Sequence, residues 1–141
     1  MNELTLIEPP PELDDFTLAL LAQATDDVLS TRRPMTAFGL VESANGHRAL
    51  KRIIAGTLEE SLMHARTAAT ADSLASRVGV AWDGYLTIEG TRTEAIYVEV
   101  SEHAADTSFV IAQRYARKGL FKKTAFVIGR PMLVDNGNLY A

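Results

Sequence analysis

Asp83 and Glu99 are the residues of this chain best placed for chemistry, provided the strands that carry them are neighbours. From Arg77 to Glu89 the alternation is strict, with Val78, Val80, Trp82, Leu86 and Ile88 on one side and Arg77, Asp83, Tyr85, Thr87 and Glu89 on the other. Glu94 to Ser101 repeats it, with Ile96, Val98 and Val100 opposite Ala95, Tyr97 and Glu99. A turn around Gly90 makes the two a hairpin. Keeping both apolar faces together takes an odd-length loop centred on Thr91, because a two-residue turn centred on Gly90-Thr91 pairs even with odd positions. That register sets Trp82 against Val100, Tyr85 against Tyr97, and Asp83 against Glu99, with the Cβ atoms of the two acids about 4.5 to 5.5 Å apart. Paired carboxylates bind a divalent cation, or share a proton with one pKa raised, as acid–base sites do.

An Asp on one strand and a Glu on the next resembles the acidic half of metal-dependent nuclease sites. Those sites place a lysine two residues after the second acid, and here that position is Ser101. The structural alternative is a solvated cross-strand pair, or one neutralised by an arginine on a neighbouring strand. His103 is the third catalytic candidate, lying near Glu99, Glu102 and Asp106, a composition that also suits a polar loop between strands. His47 and His64 have no ligand spacing, cysteine is absent, and no phosphate-binding or nucleophile-elbow motif occurs. No metal or other cofactor is therefore expected.

The net charge of -4 hides a segregation. Met1 to Thr31 carries -7 and the remainder +3. Between Arg114 and Arg130 lie six bases (Arg114, Arg117, Lys118, Lys122, Lys123 and Arg130) and no acid, with Tyr115, Phe121 and Phe126 among them. Such a segment tracks phosphates, with rings stacking on bases, in single-strand binders. Overall acidity and the lack of a spaced nucleic-acid motif argue instead for contact with protein, the acidic arm of its own chain or of a second copy. Arg114, Arg117, Lys118, Lys122 and Lys123 are accordingly the expected partner-binding residues.

The elements that position these groups follow from local signals. Residues 1–12 read as an extended arm because Pro9, Pro10 and Pro11 cannot join a helix or a sheet ladder. A helix fits Leu13 to Leu29, with Leu13, Phe16, Leu20, Leu21, Ala24 and Val28 on one face and Arg32-Arg33-Pro34 as its stop. Met35 to Ser43 and His47 to Ala55 form a hairpin on Asn45-Gly46, a pair that tolerates positive φ. Thr57 and Glu60 form a capping box for a helix to Thr70 that buries Leu58, Leu62, Ala65 and Ala69. Gly84 signals a bend or bulge. Thr107 to Ala116 reads as a strand, although Thr107 also suits a helix cap with Gly119 as its stop. Lys122 to Ile128 is a last strand ended by Gly129 and Pro131, with Asn136-Gly137 turning the tail.

The expected fold is α+β: a mainly antiparallel sheet of five to six strands, including two hairpins, with two helices packed on one face, in one domain over 13–141. A length of 141 residues with 47% apolar and 23% charged residues suits one globular core. No apolar run is long enough to span a membrane and no secretory leader is present, so a cytoplasmic protein is expected. The function expected first is that of a non-enzymatic, homo-oligomeric (dimeric) protein-interaction domain. A divalent-metal-dependent hydrolase built on Asp83 and Glu99 comes second, and a nucleic-acid-binding module using 114–130 third.

Overall fold

The computed structural model describes residues 13–30, 35–52, 56–118 and 124–141. The elements, in order, are α1 (Asp15–Leu29), β1 (Phe38–Ser43), β2 (Arg48–Lys51), α2 (Leu58–Thr70), β3 (Ala75–Ile88), β4 (Thr91–Glu102), β5 (Ser108–Lys118) and β6 (Thr124–Gly137). The α-β-β-α-β-β-β-β order and the antiparallel sheet agree with the sequence reading, and Ser108–Lys118 is a strand. The expected 1–12 arm and the Arg32-Arg33-Pro34 stop lie outside the described residues.

Local chemistry starts each element. Asp14 has extended backbone and accepts the Thr17 N–H at 2.8 Å, capping α1. Burial pushes its carboxyl up, but hydrogen bonds from Thr17, then the positive charges of Arg77 and Arg48, outweigh burial and hold it below its ordinary value. Asp14→Ala is expected to cost about 1 kcal/mol at neutral pH. A depressed carboxylate stabilises above its unfolded pKa, so in chemical denaturation the gap between wild type and variant should narrow as pH falls below about 4. Thr57 caps α2 by accepting the Glu60 N–H at 3.0 Å. Gly46 has φ 86°, and Asn45 Oδ1 accepts the His47 N–H, which closes the β1–β2 hairpin.

All strand neighbours are antiparallel in the order β2-β1-β3-β4-β5-β6. The β3–β4 turn has two residues, Glu89 (φ 50°) and Gly90 (φ 78°), and pairs Ile88 with Thr91. An even loop pairs even with odd positions, so both faces of the sheet become apolar. Each then needs a cover. The helices pack against the sheet as expected, but one on each face rather than both on one. Pairing of Leu40 with Gly79 and of Ala81 with Val98 puts these residues under α1, where Phe16, Leu20, Leu21, Ala24 and Val28 meet them. Gly39, Val41, Val78 and Val80 lie on the other side, under Ala65 and Ala69 of α2.

Both contacts are close because the sheet supplies glycine. A Cβ on Gly79 would sit 2.5 Å from Leu20 Cδ2, and one on Gly39 3.2 Å from both the Ala65 carbonyl and the Ala69 Cβ. At that distance α2 buries small residues, Ser61, Ala65 and Ala69. Leu58, expected inside, is 54% exposed.

β6 runs past Gly129 and Pro131 to Gly137 rather than ending at them. Its register shifts there, Gly129 takes φ 67°, and the Gln113 amide donates to the Ile128 and Gly129 carbonyls at 3.2 Å each. Pro131 is tolerated because β6 is an edge strand. Gly84 forms no bulge: it pairs with Ala95 and leaves room for the Tyr97 ring, whose Cε2 would lie 3.2 Å from a Cβ there. Gly137 pairs with Ser108 instead of turning the tail, and buried Leu139 rejoins the core on the α2 side.

Candidate functional site

The register separates Asp83 from Glu99. Asp83 pairs with Ile96 and Glu99 with Val80, which leaves the two carboxylates on opposite faces, so they do not form the expected shared metal or acid–base site. The odd-length loop assumed for the hairpin is the step that fails.

On the α1 face Asp83 is structural. Its Oδ2 accepts the Met35 N–H at 3.0 Å, and the Tyr115 hydroxyl reaches Oδ1 at 2.7 Å and Oδ2 at 2.9 Å. Burial, followed by the hydrogen bond to Asp83 and the charges of Asp83 and Glu94, raises the Tyr115 phenol far above its ordinary value. Tyr115→Phe should cost about 1 to 3 kcal/mol at neutral pH, because Asp83 loses its hydroxyl donor. Above about pH 10 an unfolded chain sheds the phenolic proton while the folded one keeps it, so this part of the stability declines with rising pH. The variant should therefore lose less stability between about pH 10 and 11 than wild type, as urea midpoints would record.

On the α2 face Glu99 is buried, 3% exposed, and both its oxygens are occupied. Oε1 accepts from Arg66 Nη2 at 2.6 Å and Oε2 from the Ser108 hydroxyl. Gly137 makes the space: a Cβ there would stand 2.5 Å from Glu99 Oε2 and 3.0 Å from Ser108 Oγ. Trp82 and Tyr97, paired across β3 and β4, stack with centroids 5.5 Å apart and planes 7° from parallel. The Arg66 guanidinium lies over Trp82, 5.6 Å from its centroid, and the Tyr97 hydroxyl donates to the Tyr85 carbonyl at 2.6 Å. Burial raises the Tyr97 phenol.

Arg66, Trp82, Tyr97, Glu99 and Gly137 surround a cleft of about 470 Å³, with Leu86, Val110 and Val134 as its apolar wall and Asp135, Asn136 and Asn138 on the β6 side. The cleft exists because α2 packs on β1 to β3 and leaves the rest of its face open. Its size and mixed lining fall in the range of sites for small organic groups. Sequence reasoning singled out Glu99 here and missed Arg66, Trp82, Tyr97 and Gly137. A glutamate between Val98 and Val100 was the available signal, since a carboxylate amid buried positions must find a cation.

The remaining candidates lie elsewhere. His103 is exposed in the β4–β5 loop, with its Nδ1 3.3 Å from the Tyr140 hydroxyl. It forms no cluster with Glu99, Glu102 and Asp106: no group of three or more His, Asp or Glu able to hold a metal occurs among the described residues.

In the basic segment Lys122 and Lys123 lie outside the described residues. The Arg114 guanidinium reaches Gly129, where a Cβ would lie 3.0 Å from Nη2. Arg117 lies over the Tyr115 ring at 5.7 Å and Lys118 over Phe126 at 5.1 Å. Tyr115 is 1% exposed, which bars it from stacking on a base. Two of the segment's described cations, Arg117 and Lys118, are thus drawn onto the protein's own rings. Among the described residues no helix is long and apolar enough to cross a membrane. No protein-family model matches the chain, and no curated protein or solved structure shows significant similarity to it.

Proposed function

We propose that the chain is a non-enzymatic protein-interaction domain that works as a homo-oligomer, with the α2-side cleft as its contact surface. One observation carries this reading: the β3 to β6 half of that face presents apolar and hydrogen-bonding side chains side by side around an open cleft. Glu99 has both oxygens engaged and its charge matched by Arg66, a state suited to holding a shape rather than moving protons. An aromatic pair beside an arginine is also the composition that dominates binding energy at protein interfaces.

Sedimentation velocity on the full chain tests the proposal. A dimer is expected at micromolar concentration, converted to monomer by Val134→Arg, which places a long cation in the cleft wall while β6 remains an edge strand. A wild-type monomer at about 100 μM, or a Val134→Arg chain that dimerises as wild type does, would exclude this function in the form stated.

A further inference from the structure

We infer that the cleft is a recognition site for a guanidinium or ammonium group, an arginine or lysine side chain of the partner, and that Arg66 is the resident cation such a group replaces. The inference rests on the cleft being the contact surface and names what that surface selects.

Glu99 is a carboxylate at the bottom of an aromatic-walled cleft, where only a cation makes it tolerable. Arg66 supplies that cation from the flank of α2. Its side chain is 36% exposed and touches the site through one nitrogen on Glu99 and the Trp82 ring. A long side chain rooted at the protein surface swings into water at little cost. Exchanging one guanidinium for another leaves the charge on Glu99 matched throughout, so the swap avoids the penalty of exposing a buried ion without a partner.

What favours the incoming group is Asp135. It is exposed on β6 beside the cleft, and its carboxylate accepts the Asn136 N–H at 2.8 Å. Two carboxylates against one resident cation leave the cleft with a net negative charge. The stacked pair of Trp82 and Tyr97 adds a π surface, which also favours a cation.

Trp82 is the only tryptophan, so its fluorescence reports occupancy directly. The probes are acetyl-arginine amide and, as its neutral counterpart, acetyl-citrulline amide. Saturable change with the arginine probe alone is expected, tightening about tenfold in Arg66→Met, where the resident is gone, and weakening severalfold in Asp135→Asn. An equal response to the citrulline probe would overturn the inference. So would no response from either wild type or folded Arg66→Met up to about 10 mM. Should Arg66→Met fail to fold by circular dichroism, wild type against Asp135→Asn decides: binding unaffected by loss of that charge refutes the site. Sedimentation reads association of copies and fluorescence reads the cleft, so a failure of this inference and a failure of the proposed function are told apart.

Discussion

Phe16→Ala is expected to lower the unfolding free energy by about 3 to 5 kcal/mol, seen as a fall in denaturant midpoint at unchanged slope. Phe16 is 1% exposed at the start of α1, against the strands where Gly79 brings helix and sheet together. Its Cε2 would lie 3.2 Å from a Cβ on Gly79. The surroundings are strand backbone held by β1 on one side and β4 on the other, and cannot collapse into the vacated space. Leu18 sits on the same helix but is 47% exposed. Leu18→Ala should change stability by no more than about 0.5 kcal/mol, and an equal loss at both positions would contradict the placement of α1.

Arg66→Ala should cost about 2 kcal/mol, less than the 3 to 5 kcal/mol typical of breaking a fully buried pair. Arg66 is 36% exposed, and the open cleft lets water reach part of the released carboxylate. Most of the loss comes from Glu99 being left buried with its charge unmatched. Neutralising it should therefore help: Glu99→Gln in the Arg66→Ala background is expected to restore about 1 kcal/mol while retaining an amide beside the Ser108 hydroxyl. A double-mutant cycle by urea denaturation gives the coupling directly, with about 1 to 2 kcal/mol expected. Coupling near zero would mean that the 2.6 Å contact contributes nothing to stability.

The parts of the fold that depend on neighbours in sequence were legible. Asn45-Gly46, the Thr57 cap and the alternations in β3 and β4 act within a few residues, and each element formed where those signals stand. The layer arrangement was not legible, because it turned on the parity of a single loop. Glu89 takes φ 50°, a conformation more usual for glycine or asparagine, and nothing in the residue type announces it. That one residue makes the β3–β4 loop even, moves Asp83 to the face opposite Glu99, and gives each helix a face of its own. The site was half legible for a related reason. Glu99 stands out within an apolar strand, whereas its partner Arg66 comes from a helix whose close packing depends on Gly39, and Gly137 contributes only by lacking a side chain.

Six cations among the described residues sit over aromatic rings: Arg48 on Phe16, Arg52 on Phe38, Arg66 on Trp82, Arg92 on Tyr85, Arg117 on Tyr115 and Lys118 on Phe126. About two would be ordinary for a chain of this length. Rings such as Tyr85, 58% exposed, and Phe126, 40% exposed, are the surfaces by which proteins adhere to one another nonspecifically. A charged lid over these two, Arg92 on Tyr85 and Lys118 on Phe126, keeps them hydrated without burying them. Neutralising Arg92 or Lys118 should thus appear first as reduced solubility in concentrated solution, with the melting temperature nearly unchanged.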